Sequence, residues 1–147
     1  MKDYARNKKA FFDYEILDKY EAGLKLKGYE TKAVKKNLVS LQGAFAVIKN
    51  GEAFITNMKI APYQEPNIPG SYDETRARKL LLHKKEIEEL YEKSQQKGLT
   101  LVPLRLYNRN GLIKAEVAIV RGKRKHDKRE TIKKREDDRN IRRTLKN

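Results

Sequence analysis

The sequence contains no cysteine, which removes disulfides, thiolate nucleophiles and most structural zinc sites together. Its two histidines, His83 and His126, lie too far apart to set a local metal-ligand spacing. No apolar run approaches the roughly 18 to 20 residues needed to span a bilayer, and the charged start M-K-D-Y-A-R-N-K-K is followed by no hydrophobic leader. These absences predict a soluble, cytoplasmic chain with no resident cofactor, no metal and no membrane partner. Paired carboxylates and nucleophile motifs are also missing, so no enzyme is expected. A small nuclease using His83, Glu86 or His126 as acid or base is the rival that would have to be built from what remains.

What the chain has in abundance is positive charge. Its 147 residues carry a formal net charge of +15 and a pI near 9.9. The last 27 residues, from Arg121 to Asn147, hold 13 Lys and Arg against 5 Asp and Glu, a net +8, and residues 1–120 keep +7. Both parts face an anion, and a phosphate backbone rewards each added cation through counterion release. The 121–147 stretch has only Ile132, Ile141 and Leu145 as clear aliphatic side chains. That is too little to offset the entropy of ordering it, at roughly 1 to 2 kcal/mol per residue. It also carries helix signals, since Asp127 can cap with Glu130 three residues on. A tail that is disordered alone and helical when bound to a polyanion is the expectation, following a single domain at 1–120.

Along the chain, residues 2–10 form a basic opening segment. The run Y-E-A-G-L-K-L-K-G from Tyr20 alternates Ala22, Leu24 and Leu26 with Gly23, Lys25 and Lys27, a half-buried strand with a cationic outer face. Residues 30–36 predict a short helix with Ala33 and Val34 inward. Two apolar strands then meet at Asn50-Gly51, a pair that tolerates the positive φ of a type I′ hairpin turn. Three of the four prolines fall between Pro62 and Pro69, which predicts a loop. The main helix is expected in 73–98, with Ile87, Leu90, Tyr91 and Ser94 on one face and Gly98 as its stop. Leu80 to Leu82 are assigned either to that helix or to a separate turn. Two more strands flank Asn108-Arg109-Asn110-Gly111, and Pro103 in the first implies an edge position or a bulge. The sum is an α+β, mainly β chain: about six antiparallel strands in an OB-like barrel, two to three flanking helices and a basic C-terminal tail.

Seven stretches in order resemble the small protein B family, the SsrA-binding (tmRNA-binding) proteins of bacterial trans-translation. They are N-K-K-A at 7–10, Y-E-A-G-L at 20–24, G-Y-E-T-K at 28–32, N-G-E-A-F at 50–54, R-K-L-L-L-H-K at 78–84, G-L-T-L-V-P-L at 98–104 and G-K-R-K-H-D-K-R at 122–129. The resemblance implies a six-stranded OB-like barrel that binds the tRNA-like domain of tmRNA and accompanies it into a stalled ribosome. It places RNA contacts at Asn7, Lys8, Lys9, Glu21 and Leu81. It also implies a tail that turns helical in the empty mRNA channel, with His126, Asp127, Lys128 and Arg129 near the decoding centre. Lys123, Lys125, Lys133, Lys134 and Arg135 extend that ribosome-binding set. Small-subunit rRNA is the expected ribosomal partner, with the protein a monomer when bound to RNA.

Several of these residues have plain readings of their own. A strand glutamate such as Glu21 is ordinarily solvated, and a leucine within a triple such as Leu81 ordinarily packs in a core. Under the resemblance, Glu21 accepts from a base amino group or orients a neighbour, and Leu81 covers a base or sugar. His126 reads as a solvated histidine or as a stacking ring. His83 reads as a helix-start residue, and Tyr14, Tyr20, Tyr29 and Tyr63 mostly as packing. The expected function is an RNA-binding adaptor for ribosome rescue. The alternative is a general ribosome-associated OB-fold RNA-binding protein without tmRNA specificity.

Overall fold

A computed structural model describes residues 3–63, 68–123, 129, 132–136 and 139. In chain order the elements are β1 (Asp3–Arg6), α1 (Lys8–Asp13), β2 (Tyr14–Leu24), α2 (Gly28–Lys35), β3 (Val39–Ser40), β4 (Phe45–Lys49), β5 (Glu52–Thr56), β6 (Lys59–Ile60), β7 (Arg78–Leu81), α3 (Lys84–Ser94), β8 (Leu99–Arg109) and β9 (Leu112–Gly122). Seven strands form one antiparallel sheet in the order β1-β8-β4-β5-β7-β2-β9, and β9 also pairs with β8, so the pairing returns on itself with β1 attached outside β8. β3 and β6 make a separate two-stranded ladder.

Turn chemistry sets the two long hairpins. Asn50 and Gly51 have φ of 53° and 73°, and Asn110 and Gly111 have 52° and 80°, the left-handed pair a type I′ turn demands. In β8 the register shifts between Pro103 and Arg105, so the proline marks a bulge inside a paired strand and not an edge. β9 is buried on both faces over its second half. Ala115, Val117 and Ile119 enter the main core, while Ala118 and Val120 join Val102 and Leu104 beneath Ala10 and Phe11 of α1. That double burial is why the end of β9 reads as a continuous apolar run.

Three expectations change. The opening segment is not merely a basic lead-in; it is β1 followed by the six-residue helix α1. The stretch 73–98 does not begin as a helix, because 78–81 is strand β7, bridging β5 and β2 with Leu80 opposite Ala53 and Leu24. Leu80 points into the core at 1% exposure and Leu81 points out at 52%, the alternation of a strand. Cross-strand pairing there overrides the helix propensity of a leucine run. Tyr91, placed inward with Leu90 by periodicity, is half exposed. By contrast Ala33 and Val34 are fully buried, as their spacing requires.

One charged cluster lies within this interior. Glu30 of α2 and Arg78 of β7 are both wholly buried, with the Arg78 Nη2 2.6 Å from a Glu30 carboxylate oxygen. Arg76 also donates to Glu30, Arg78 donates to the Met58 carbonyl, and the Tyr72 hydroxyl donates to the Ile60 carbonyl at 2.9 Å. Burial pushes the Glu30 carboxyl up, but donation from Arg76, the Lys27 N–H and Arg78 more than reverses this and leaves it below the usual range. The cluster ties α2 to the strand that carries Leu81. Among the described residues no helix is long and apolar enough to cross a membrane.

Candidate RNA interface

A row of directly paired residues crosses four strands on the outer face of the sheet: Arg6 opposite Arg105, Arg105 opposite Glu116, and Glu116 opposite Glu21. At 4.7 to 4.9 Å per strand, its two ends lie roughly 14 Å apart. One end carries Asn7, Lys8 and Lys9; the other carries Glu21 with Leu81 beside it. The row thus links the segment that leads into Asn7, Lys8 and Lys9 with Glu21, although the five positions carried over from the resemblance lie as much as 74 residues apart in sequence.

At the first end the chain leaves β1 and turns into α1. Asn7 is 5% exposed: its Nδ2 donates to the Pro103 carbonyl at 3.0 Å, and its Oδ1 accepts the Ala10 N–H at 3.1 Å as the helix cap. Its own N–H donates to the Leu104 carbonyl at 2.8 Å. Asn7 therefore fixes the start of α1, from which Lys8 and Lys9 project into solvent. The Arg6 guanidinium stacks over the Phe11 ring at 4.8 Å. A recess of about 370 Å³ lies between these cations and Ser40 and Gln42.

At the second end, Glu21 accepts hydrogen bonds through one oxygen, Oε2, from the Tyr107 hydroxyl and from Arg109 Nη1 at 2.8 Å. The Tyr107 hydroxyl and then Arg109 hold the Glu21 carboxyl below its ordinary range. Burial, followed by the neighbouring carboxylate, pushes the Tyr107 hydroxyl up to about 12. Oε1 of Glu21 takes no hydrogen bond from the described residues. The Tyr107 ring is clamped by Arg105, whose guanidinium lies 4.2 Å from its centre and is itself held by Asp3 and Glu116. Leu81 stands over Gly23, where a Cβ would come within 3.1 Å of the Leu81 Cβ, so any larger residue there would push Leu81 by a few tenths of an ångström. The recess here, about 820 Å³, is lined among others by Glu21, Gly23, Lys79, Leu81, His83 and Lys114.

Sequence reasoning missed Tyr107, Arg105 and Arg109. Only strand register reveals them, because Tyr107 lies 86 residues from Glu21. His83 caps α3, with its N–H donating to Glu86 at 3.1 Å, as its helix-start reading implies. Tyr14, Tyr20, Tyr29 and Tyr63 are all half-buried.

Of the tail positions, Lys123 extends the body: its N–H donates to the Asp13 carbonyl at 2.8 Å and its Nζ to the Phe11 carbonyl at 3.3 Å. Arg129, Lys133, Lys134 and Arg135 are helical and exposed, and the Arg135 guanidinium lies 5.6 Å from the Phe12 ring. Lys125, His126, Asp127 and Lys128, with the expected cap at Asp127 and Glu130, lie outside the described residues.

Comparison with known proteins matches the same span. The family described as SmpB protein matches residues 4–147. An SsrA-binding protein of Ligilactobacillus salivarius is 51% identical over 143 residues, covering 97% of this chain and 92% of that protein. Another from Thermosipho africanus is 48% identical over 147 residues, covering 99% and 98%. A solved structure described as "tmRNA-SmpB: a journey to the center of the bacterial ribosome" superposes with a TM-score of 0.68 at 44% identity, over 86% of this chain and 92% of that one. With the whole length from Tyr4 onward matched and the sheet shared, the chain belongs to the SmpB family.

Proposed function

We propose that this chain is an RNA-binding adaptor that holds the tRNA-like domain of tmRNA and delivers it to stalled ribosomes for trans-translation. The observation that carries this reading is the match to SmpB over residues 4–147, and a four-strand row that runs from Arg6, next in sequence to Asn7, Lys8 and Lys9, to Glu21 supports it. Lys8, Lys9, Lys114 and Arg109 take phosphates, which fix orientation without reading sequence. Glu21 offers its remaining oxygen to a base amino group or a 2′-hydroxyl, a donor that phosphate lacks. Leu81 covers a base or sugar face. Asn7 serves by setting where Lys8 and Lys9 project.

The finer features belong to the same proposal. The ring of pairings β8-β4-β5-β7-β2-β9 closes as an OB-like barrel in the domain expected at 1–120, its last strand β9 running on to Gly122, and the basic stretch 121–147 enters the decoding centre and the empty mRNA channel through the residues beyond that strand. Lys123, Lys125, His126, Asp127, Lys128, Arg129, Lys133, Lys134 and Arg135 there meet rRNA of the small subunit. Two basic regions engaging together raise avidity without requiring either to bind tightly alone. The protein works in the cytoplasm, as a monomer on its RNA, and performs no catalysis, a reading that its membership of an RNA-binding family supports.

Binding of the tRNA-like domain in competition with random RNA of equal length, at physiological salt, tests the reading. Preference for the tRNA-like domain is expected, and equal affinity would leave only a general ribosome-associated RNA-binding protein. Truncation before Lys123 is expected to keep that binding while abolishing peptidyl transfer to tmRNA on stalled ribosomes; normal transfer would remove the role given to the tail.

A further inference from the structure

Within a chain of net charge +15, α3 runs the other way, with Glu86, Glu88, Glu89 and Glu92 against Lys84, Lys85 and Lys93. Two of the four glutamates are engaged: Glu86 accepts the His83 N–H, and Glu89 accepts the Tyr20 hydroxyl at 3.4 Å. Glu88 and Glu92, one turn apart, are exposed, and neither carboxylate has a hydrogen-bond or ion-pair partner among the described residues. Beside them, between α3 and the turn of the β4–β5 hairpin, lies a groove of about 380 Å³. Ile48, Ile87 and Tyr91 give it an apolar wall, with Asn50 and Gly51 at the hairpin end. Tyr91 leaves half of its surface uncovered there. Gly51 and Ile87 also border the Glu21–Leu81 recess, so the two depressions adjoin.

The chemistry of this groove is wrong for nucleic acid. Among the described residues no cation lines it, and its two carboxylates, one helical turn apart and unpaired by those residues, repel a phosphate backbone. It suits a polypeptide that inserts one bulky aliphatic or aromatic side chain between Ile48, Ile87 and Tyr91 and sets flanking cations on Glu88 and Glu92. Aromatic anchors in apolar clefts ringed by complementary charge are how such segments are held. We propose that this groove docks a Lys/Arg-rich segment of a ribosomal protein, seated next to the RNA held at Glu21 and Leu81. The inference rests on the adaptor reading above and adds to it a protein contact on the face opposite in sign to its RNA contacts.

The test places p-benzoylphenylalanine at Tyr91 and irradiates the full chain with tmRNA on purified stalled ribosomes, with peptidyl transfer to tmRNA measured in the same samples. The expected result is a protein–protein crosslink whose mapped site lies in a Lys/Arg-rich segment of a ribosomal protein. The double substitution Glu88→Lys and Glu92→Lys should lower that crosslink about tenfold while leaving affinity for the tRNA-like domain unchanged. A crosslink to rRNA, to tmRNA or to this chain's own tail overturns the proposal. So does normal peptidyl transfer with no crosslink, or a crosslink insensitive to the charge reversal; in these cases the adaptor reading survives. Absence of any transfer by the unsubstituted chain defeats the adaptor reading, and the inference falls with it.

Discussion

Glu30 and Glu21 each sit with arginine and tyrosine, and what separates them is how many of their lone pairs are left. Glu30 is wholly buried; Oε1 takes the Lys27 N–H and Arg76, and Oε2 takes Arg76 and Arg78, with the Tyr72 hydroxyl alongside. The Glu21 side chain is 36% exposed, and Oε2 alone accepts both Tyr107 and Arg109. A carboxylate with every acceptor site used can hold a fold together and do nothing else. One that is oriented through a single oxygen keeps the other for a ligand, and its position is fixed before the ligand arrives.

The largest effect that would sharpen this contrast comes from Glu30→Gln. Removing one member of a buried ion pair leaves Arg78 charged and unmatched, at a cost of about 3 to 5 kcal/mol. That is a large share of the roughly 5 to 15 kcal/mol that stabilises an ordinary domain. The urea midpoint should fall accordingly, with affinity for RNA unchanged in the fraction that remains folded. The pH dependence has a definite sign. The folded carboxyl of Glu30 is lowered, so its stabilisation is complete above the unfolded value near roughly 4.3 and is lost as pH falls through the folded one. Wild-type urea midpoints should drop across that acidic window, and the Gln variant should show a flatter profile. Equal profiles would remove Glu30 from the structural side of the comparison.

A smaller effect separates the two tyrosines. Tyr72→Phe strands the Ile60 carbonyl and takes an acceptor from Arg78, a loss of about 1 to 3 kcal/mol in thermal or urea unfolding. Tyr107→Phe is expected to change stability little, because water reaches the Glu21 carboxylate that it frees. It should instead weaken binding of the tRNA-like domain by about three- to tenfold, the worth of one positioning hydrogen bond. The reverse pattern, with Tyr107→Phe unfolding the protein and Tyr72→Phe weakening RNA binding, would exchange the roles assigned to the two clusters.

The structural glutamate and the exposed one were unequally legible in the sequence. Local signals worked where the physics is local: Asn50-Gly51 and Asn110-Gly111 fix their turns, Ala33 and Val34 face inward at helical spacing, and Pro103, which cannot donate to the ladder, marks an edge or a bulge, of which the fold has the bulge. They failed where the partner lies far along the chain. Nothing near Glu30 signals its pairing with Arg78, 48 residues on, and nothing near Leu81 shows that β5 and β2 will flank it as a strand. The helix α1 leaves no periodic signal, because six residues make too few turns, and it stands only by packing Ala10 and Phe11 on the second face of β9. Resemblance supplied Asn7, Glu21 and Leu81 as site positions. Register alone supplied Tyr107, Arg105 and Arg109, the residues that hold Glu21 in place.

The most direct measurement is the affinity of Glu21→Gln for the tRNA-like domain of tmRNA, taken beside its thermal unfolding. The substitution keeps the shape and removes the charge that orients Arg109 and that the proposal assigns to an RNA donor. The expected result is a fall in affinity of about tenfold or more at an unchanged unfolding temperature. Unchanged affinity, or a fall that follows a matching loss of stability, would contradict the assignment of Glu21 to the RNA and not to the fold.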